Sequence, residues 1–389
     1  MVAGVICEYN PFHRGHEAML RALRQAGADT VVCAMSGNFT QRGDAAVADK
    51  AARAAMAVSC GADLVLEVPT PWAMATAETF ARGGVEILAL AQCDALAFGS
   101  ECGDLAALRA AAATVTAPDF PDAVRARMTG GVSYAAARQA AAEARGVAPG
   151  LLSRPNDILA VEYLKATAQL QVDVTPIAIP RVGSDHDGGP RAGIASASYI
   201  REQLKKGDFT VLDYLPETAA ATLREALSRA GGSVDIKYAE RAILGRLRSM
   251  EEEELARWDD TGEGLYHRLH RAIRGAASWE ELLSAAGTKR YPTARLRRML
   301  LSAWLALPPA PAHVPYLRVL AATEAGRRHL RALRDSGAPV LTKAADVARL
   351  GAAAETLFTA EAGCTDLYDL CRPAPGVPGE DWRITPRMV

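Results

Sequence analysis

Residues Val2–His16 have the sequence VAGVICEYNPFHRGH, in which a strand pattern leads directly into a helix start. Val2–Cys7 is a short apolar run of the kind that forms a buried strand. Glu8–His16 follows it and leads into a helical pattern that begins at His16. Main-chain N–H groups at the start of a helix converge and favour an anion there. A strand that ends in such a helix start is typical of α/β proteins that bind phosphate groups.

Two histidines in this segment are candidates for the phosphate site. His13 and His16 are three residues apart and can face one side, and imidazole N–H groups can donate to phosphate oxygens. Gly15 has no side chain, so a ligand ring can lie close to the main chain there. Two other interpretations remain open. The histidines could be metal ligands, although the HExxH pattern is absent, or they could be structural polar groups.

The alternation of strand and helix continues along the first half of the chain. Short apolar runs predict buried strands, and the stretches between them predict crossover helices. The predicted strands are Val2–Cys7, Thr30–Met35, Leu64–Val68, Ala95–Phe98 and Val172–Ile179, and the predicted helices are His16–Ala26, Asp49–Cys60, Trp72–Gln92 and Ile158–Gln169. We therefore expect a Rossmann-like α/β domain with a doubly wound parallel sheet over residues 1–210. Its ligands should lie beyond the carboxyl ends of the strands.

Candidate substrate residues follow the second predicted strand. The segment Ser36–Asp44 (SGNFTQRGD) is polar and carries one cation, Arg42. This composition suits a substrate loop at the ligand edge of the sheet, although an ordinary surface loop explains it too. Lys50 and Arg53 lie one turn apart on the next predicted helix. Either they face the same pocket or they are solvated.

Three further segments carry candidate nucleotide contacts. Gly99 follows the fourth strand, where a glycine lets the main chain approach a nucleotide, and Asn156 could present its amide to a base or ribose. Ser198 and Arg201 belong to ASASYIR, a second predicted helix start that suits phosphate oxygens. A tight turn or plain helix capping is the alternative in these segments. Neither the GxxxxGK[ST] nor the GxGxxG motif is present.

After about residue 210 the strand pattern gives way to amphipathic helices. The predicted helices are Arg241–Arg257, Leu265–Ala276, Trp279–Ala285, Thr293–Ala306 and Ala321–Ser336. The stretch Leu307–Pro315 is rich in proline and predicts a loop. The tail beyond Ser336 predicts little regular structure. We therefore expect a mainly α-helical C-terminal domain over residues 211–389.

A basic stretch in this second half predicts a contact with RNA. No acidic residue lies between Glu281 and Glu324. In a chain whose net charge is -1, such a local run of positive charge suits a polyanion. A solvated helix face that pairs with acids elsewhere is the alternative. The candidate RNA-binding residues are Lys289, Arg290, Arg297 and Arg298.

Composition excludes several other classes of protein. The 44 basic and 45 acidic residues nearly balance, which excludes a globally basic nucleic-acid protein. Seven cysteines without a Cys-x-x-Cys pair argue against a disulfide framework or a zinc site, and no metal ligands are predicted. The sequence has no signal-peptide pattern. It also has no apolar run of about 18 residues, so we expect a cytoplasmic protein without a membrane span.

Taken together, the motifs resemble those of a known group of enzymes. A strand followed by His-x-Gly-His, with a late Ser-x-Ser-x-x-Arg helix start, is similar to the nucleotidylyltransferase superfamily. Longer segments narrow the resemblance to the bacterial tRNA(Met) cytidine acetate ligase family, from Val2 to about Ala306. Cys7 and Arg14 depart from that family's pattern. The segments are EYNPFHRGH, SGNFTQRGD, GADLVLEVP, FGSECGD, RPNDILAVEYLKA, IASASYIRE and TKRYPTARLRRMLL.

The resemblance implies an ATP-dependent acetate ligase. Such an enzyme forms acetyl-adenylate from acetate and ATP, with Mg²⁺ on the triphosphate. It then acetylates the exocyclic amine of the wobble cytidine of elongator tRNA(Met). The candidate catalytic residues are His13, His16, Arg42 and Lys50. The candidate ATP-binding residues are Ile6, Cys7, Glu8, Tyr9, Asn10, Pro11, Phe12, His13, Arg14, Gly15, His16, Glu17, Ala18, Met19, Gly99, Asn156, Arg181, Ser198 and Arg201.

Two functions of other classes remain open at this point. One is a nucleotidylyltransferase that acts on a small molecule without RNA, and the basic stretch argues against it. The other is a non-catalytic RNA-binding protein that keeps the fold. The presence of His13, Gly15, His16 and Arg201 argues against the second.

Overall fold

The computed structural model describes residues 1–129, 131–180, 193–259, 262 and 264–389. The strands are β1 (Val2–Cys7), β2 (Thr30–Ser36), β3 (Phe39–Thr40), β4 (Asp44–Ala45), β5 (Leu64–Val68), β6 (Ala95–Ser100), β7 (Thr175–Pro180), β8 (Leu317–Ala322), β9 (Val340–Leu341) and β10 (Arg387–Met388). The helices up to residue 210 are α1 (Arg14–Gln25), α2 (Lys50–Ser59), α3 (Thr70–Ala73), α4 (Ala77–Leu90), α5 (Leu105–Thr116), α6 (Phe120–Arg125), α7 (Tyr134–Glu143), α8 (Pro155–Gln169) and α9 (Ala197–Lys205). The later helices are α10 (Glu217–Arg229), α11 (Glu240–Arg248), α12 (Glu252–Leu255), α13 (Leu265–Gly275), α14 (Trp279–Ala286), α15 (Thr293–Trp304), α16 (Glu324–Asp335), α17 (Ala352–Asp369) and α18 (Glu380–Arg383).

One mixed sheet forms the centre of the molecule. Its strand order is β10-β8-β5-β2-β1-β6-β7, and β9 also pairs with β8. All neighbours from β5 to β7 are parallel. The chain moves outward from β1 to β2 and β5, and it then crosses back to place β6 on the other side of β1. This reversal confirms the predicted doubly wound sheet, and it opens a crevice at the carboxyl ends of β1 and β6.

Helices cover both faces of this sheet, because successive residues of a buried strand point to opposite sides. On β1, Ala3 and Val5 pack into one hydrophobic core and Ile6 packs into the other. Gly4, between Ala3 and Val5 in the strand, is needed for the packing of α4. A Cβ atom at Gly4 would lie 2.7 Å from a methyl carbon of Leu88, so glycine lets α4 approach the strand.

The structure revises one predicted helix in the mainly helical C-terminal part. Leu317–Ala322, whose end was predicted to begin a helix, is a strand that pairs antiparallel with β5 in the main sheet. The run LRVLAA is short, and periodicity does not separate a buried strand from a buried helix at this length. The helical part therefore spans α10 to α15, after which the chain returns to the sheet. The tail also contains the 18-residue helix α17, where little regular structure was predicted.

The predicted helix Trp72–Gln92 is also revised, since it is divided into α3 and α4. The predicted loop Leu307–Pro315 lacks helix and strand, as expected. Within the residues that the structure describes, no helix has both the length and the apolar character needed to cross a membrane.

A buried cluster of charges ties the C-terminal segments to the sheet. The Lys50 ammonium on α2 donates to Glu67 Oε1 at 2.7 Å and to Asp381 Oδ2 at 2.8 Å. Arg318 on β8 lies 3.1 Å from the same Asp381 oxygen. The Glu361 carboxyl group on α17 accepts a 2.6 Å hydrogen bond from the main-chain N–H of Thr70. All five ionisable side chains are buried, so each depends on the others for compensation.

The charges of this cluster balance only if one carboxyl group is neutral. Two cations face the three carboxyl groups of Glu67, Glu361 and Asp381. Burial and the neighbouring Glu67 carboxylate raise the pKa of Glu361 to about 8. Glu361 is therefore protonated in the folded chain at neutral pH, and the remaining two carboxylates match Lys50 and Arg318.

We predict that Glu361 makes the protein less stable as the pH rises. Between its ordinary pKa of 4.5 and its folded value of about 8, Glu361 holds a proton in the folded chain but not in the unfolded chain. Stability should therefore fall with increasing pH in this window, by up to about 1.4 kcal/mol per pH unit. Glu361→Gln keeps a neutral side chain and should remove this slope. The measurement is the urea unfolding midpoint from pH 5 to 8.

Glu355→Gln is the matched control, because Glu355 is exposed on the same helix. The control should keep the wild-type slope. If wild type and Glu361→Gln lose stability in parallel as the pH rises, Glu361 does not carry the buried proton.

Candidate functional site

The two histidines of the first motif cap helix α1 together. His13 is the N-cap residue, and its Nδ1 accepts a 3.1 Å hydrogen bond from the main-chain N–H of Gly15. His16 Nδ1 accepts a 3.2 Å hydrogen bond from the main-chain N–H of His13. Such a reciprocal exchange satisfies donors that a helix start otherwise leaves unpaired. Here imidazole nitrogens fill the roles that Ser, Thr, Glu or Gln usually take.

This exchange determines where the imidazole protons lie. Because each Nδ1 accepts a main-chain N–H, the proton of each neutral ring is on Nε2. The rings stack with their centroids 3.7 Å apart and their planes 20° apart. Tyr9 and Phe12 pack against His16 with ring centroids at 4.8 and 5.5 Å. The protein thus orients both Nε2–H donors, at the end of β1 where the strand order reverses.

Gly15 is required by this geometry. A Cβ atom at this position would lie 2.9 Å from Cε1 of the His13 ring. A side chain would therefore push the ring out of the stack and weaken the cap.

A second helix start meets the first one here. Ser196 caps α9 by accepting a 3.2 Å hydrogen bond from the N–H of Tyr199. Arg201, one turn in, donates to the carbonyl oxygen of Asn10 at 2.7 Å and to Ser198 Oγ at 3.3 Å. Burial lowers the pKa of Arg201, although an arginine remains charged. The predicted association of the late Ser/Arg segment with the histidine motif is therefore present in the fold.

The other residues predicted to bind the nucleotide lie in two neighbouring regions, one around the end of β1 and the start of α1 and the other at the end of β6. Ile6 and Cys7 end β1, whereas Arg14, Glu17, Ala18 and Met19 lie on α1. Between them, Pro11 is buried and Glu8 is half-buried. Gly99 lies near the end of β6, the strand beside β1. Arg181 lies outside the described residues.

Asn156 is brought to β6 by a reciprocal exchange of hydrogen bonds. Glu101 Oε1 accepts from the main-chain N–H of Asn156 at 3.2 Å and also from its side-chain amide. In return, Asp157 Oδ1 accepts from Ser100 Oγ at 2.6 Å and from the N–H of Glu101 at 2.9 Å. The Asp157 side chain thereby fixes the turn that follows Gly99. The only hint of the contact between Asn156 and Glu101 in the sequence is that Glu101 is polar and lies just past the strand.

The loop after β2 is a short hairpin. Phe39–Thr40 pairs with Asp44–Ala45, and Arg42 is exposed at the turn between them. On one side, Glu8 Oε1 accepts a 2.8 Å hydrogen bond from the N–H of Gln41. The hairpin that carries Arg42 is therefore bonded directly to the segment that carries the histidines.

On its other side, the hairpin packs against the basic helix α15. Gly43 has φ +69, and a Cβ atom there would lie 2.6 Å from the main-chain nitrogen of Arg298. Arg298 Nη1 donates to the carbonyl oxygen of Gln41 at 3.1 Å. Arg297 Nη1 lies 3.8 Å from Asp44 Oδ2. The structure therefore separates the four predicted RNA-binding residues into two pairs, and Arg297 and Arg298 attach α15 to the hairpin.

The other pair lies in the turn before α15. Lys289 and Arg290 are both exposed. Two guanidinium groups lie over the ring of Tyr291, with Arg290 Cζ 5.5 Å and Arg295 Cζ 5.3 Å from its centroid. This turn thus presents positive charge beside the helix that touches the hairpin.

Lys50 does not fit the predicted role of a substrate-binding cation. Its side chain is only 3 % exposed, and two carboxylates compensate its charge within the buried cluster. Residue types alone do not distinguish Lys50 from Arg42 as a substrate-binding cation, because the burial of Lys50 depends on its distant partners Glu67 and Asp381. Among the described residues there is also no group of three or more His, Cys, Asp or Glu side chains that could hold a metal ion.

Comparisons with known proteins identify the family of this chain. Residues 1–377 match the model of the HIGH Nucleotidyl Transferase family. The chain is 34 % identical over 397 residues to the tRNA(Met) cytidine acetate ligase of Acetivibrio thermocellus, with 96 % of each chain covered. It is 37 % identical over 357 residues to the protein of the same name from Syntrophotalea carbinolica, with 85 % of this chain and 82 % of the relative covered.

Solved structures agree over the whole chain. The apo crystal structure of Thermotoga maritima TmcAL superimposes with a TM-score of 0.93 at 27 % sequence identity, covering 100 % of this chain and 99 % of that one. The TmcAL structure bound with alpha-thio ATP gives a TM-score of 0.91 at the same identity and coverage. With its strand order, its paired histidine caps and a family match over residues 1–377, the chain belongs to the HIGH Nucleotidyl Transferase family.

Proposed function

We propose that this chain is an ATP-dependent acetate ligase that acetylates the exocyclic amine of the wobble cytidine in elongator tRNA(Met). The observation that carries the proposal is the pair of stacked histidines at the start of α1, in a segment whose Asn10 carbonyl oxygen accepts a hydrogen bond from Arg201 of α9. Relatives named tRNA(Met) cytidine acetate ligase cover nearly the whole chain, and a structural relative binds an ATP analogue. A transferase for a small molecule without RNA is less well supported, because the relatives' name includes a tRNA.

The proposed reaction has two steps. In the first, a carboxylate oxygen of acetate bonds to the α-phosphorus of ATP, the bond to the bridging oxygen breaks, and pyrophosphate leaves. In the second, the amine nitrogen of the cytidine bonds to the acetyl carbon, AMP leaves, and the amine loses a proton. Negative charge builds on the α-phosphate in the first step. Donors held in place before that charge develops lower its energy most effectively.

The chain's own residues would divide these tasks. The Nε2–H groups of His13 and His16 and the amides at the start of α1 would donate to phosphate oxygens. Arg201 would add a fixed positive charge beside them. Gly99 and Asn156, at the end of the neighbouring strand, would contact the nucleoside. Arg42, on the hairpin, would hold the acetate carboxylate.

Magnesium would accompany the nucleotide in this scheme. The described residues offer no cluster of ligands for it, and Mg²⁺ commonly takes substrate phosphates and water as its ligands. We therefore assign no step and no side chain of this protein to the ion. ATP and tRNA are both cytoplasmic, so we also propose the cytoplasm as the site of the reaction.

The first test measures which acyl donor is used. The chain should catalyse exchange of radiolabelled pyrophosphate into ATP when acetate is present, and it should acetylate tRNA(Met) with release of AMP. The reason is that the site has two helix starts that suit phosphates, which an ATP-dependent activation requires. Acetylation that depends on acetyl-CoA and proceeds without ATP would contradict the proposal.

The second test removes the donor at His16. His16→Ala should slow acetate-dependent pyrophosphate exchange by about a hundredfold to a thousandfold, the usual effect of losing one donor to a developing charge. His16→Asn keeps a donor and should lose less. RNA binding should stay near the wild-type value. The rates are read beside a thermal melt of each variant, and His313→Ala is the control because His313 is exposed and pairs with Glu86. Near-normal exchange by folded His16→Ala would show that the histidine acts only as a cap.

The third test concerns the turn before α15. Lys289→Ala with Arg290→Ala should weaken binding of tRNA, and each lost phosphate contact should lower the salt slope of binding by roughly 0.7 to 0.9. Pyrophosphate exchange should be unchanged, since neither side chain belongs to the histidine site.

Arg327→Ala with Arg328→Ala is the matched control. It also removes two exposed cations, but from α16, where both lie within ion-pair distance of Glu324. If the two double variants bind tRNA equally well, the turn before α15 is not the RNA contact.

A further inference from the structure

Arg53 is a buried arginine whose contacts are main-chain carbonyl groups. It lies on α2 and is 0 % exposed. Nη1 donates to the carbonyl oxygens of Glu8 at 2.7 Å and Ser36 at 3.1 Å. Nη2 donates to the carbonyl oxygen of Gly37, and Nε donates to that of Ala48 at 3.0 Å. One guanidinium group thus joins three separate segments of chain.

No carboxylate among the described residues lies within ion-pair distance of this guanidinium group. Burial lowers the pKa of Arg53, which is the direction expected for a cation taken out of water without a close counter-ion. A lysine could not replace it, because a single ammonium group lacks the planar fork that reaches carbonyls on several sides. The geometry of the fork, rather than an ion pair, is therefore what this position provides.

The carbonyls that Arg53 holds belong to the two loops of the candidate site. Glu8 begins the segment that leads to His13 and His16. Ser36 and Gly37 begin the segment that leads to the hairpin with Arg42. We propose that Arg53 is a positioning residue that sets the spacing between the phosphate-binding histidines and the acetate-binding hairpin.

This inference rests on the proposed function. The reaction joins acetate to the α-phosphate, so the reacting oxygen and phosphorus must be held close together.

Two further contacts join the same loops. Glu8 Oε1 accepts from the N–H of Gln41 at 2.8 Å, and Asn10 Oδ1 accepts from the N–H of Val47 at 2.8 Å. Together with Arg53, they connect the histidine segment to the hairpin segment at three places. Several contacts between the two segments suit a site in which two substrates must be held close together before they react.

Acetate should be more sensitive than ATP to a loss of this spacing. ATP is large, and in the proposed site it also contacts Arg201, Gly99 and Asn156, none of which bonds to Arg53. Acetate has four heavy atoms and depends on a cation carried by the hairpin. A shift of the hairpin would therefore misplace acetate while most contacts to ATP remain.

The test compares Arg53→Lys with Arg24→Lys. Arg24, at the opposite end of the sheet, also donates to main-chain carbonyl oxygens, those of Ala28 at 3.1 Å, Asp29 at 2.8 Å and Gly61 at 3.1 Å, and unlike Arg53 it forms an ion pair, with Asp63. For Arg53→Lys, we expect kcat/KM for acetate in pyrophosphate exchange to fall by about tenfold to a hundredfold. The KM for ATP should stay near its wild-type value. Arg24→Lys should lower the melting temperature without this selective effect.

The outcomes separate this inference from the proposed function. If the unmodified chain shows no acetate-dependent exchange, the proposed function and the role of Arg53 both fail. If it is active, but Arg53→Lys behaves like Arg24→Lys or raises both KM values equally, Arg53 is only structural.

If Arg53→Lys does not fold, Arg53→Gln supplies the test. Its uncharged side-chain amide can donate to one of the carbonyl groups but cannot reach those of both loops. A selective rise in the KM for acetate would support the inference, and an unselective or absent change would overturn it.

Discussion

The exchange of hydrogen bonds between His13 and His16 is the interaction on which the site depends. A helix that starts directly after a buried strand has main-chain N–H groups without partners. Here two imidazole nitrogens accept those groups, at 3.1 and 3.2 Å, instead of a hydroxyl or a carboxylate. The same bonds that stabilise the helix start also fix each ring and its proton. The same hydrogen bonds therefore cap the helix and orient the two donors. Gly15 makes this possible, because a side chain at that position would collide with the His13 ring.

The second half of the chain is anchored to the domain that carries the histidines. The charge cluster joins Lys50 on α2 to Asp381 near the C-terminus, so the tail packs into the domain that holds the histidines. Removing one partner from such a cluster leaves an uncompensated buried charge, which costs far more than the cluster contributes. The Pro- and Gly-containing tail therefore has a definite place, although its sequence offers little periodic pattern.

The features that could be predicted from the sequence are set by neighbouring residues in the chain. The features that could not be predicted are set by contacts with residues far away in the chain. The histidine motif, the alternating strands and helices of the first half and the helix start at Ser196 all follow from short-range patterns. β8 was missed because Leu317–Ala322 becomes a strand through pairing with β5, about 250 residues earlier in the chain. Lys50 was misassigned for the same reason, since Asp381 is 331 residues away. Arg53 could be noticed beside Lys50, but its carbonyl partners could not be read from residue types.

The contact between Gly43 and α15 connects the hairpin proposed to bind acetate with the helix beside the proposed RNA contact. A Cβ atom at Gly43 would lie 2.6 Å from the main-chain nitrogen of Arg298, so the hairpin and α15 touch without room for a side chain. Helices and hairpins in such close contact do not slide freely, because packed interiors resist deformation. An RNA held at the turn before α15 would therefore keep a fixed offset from Arg42. The hairpin is in turn bonded to the histidine segment, so the nucleotide, acetate and RNA contacts would share one rigid frame.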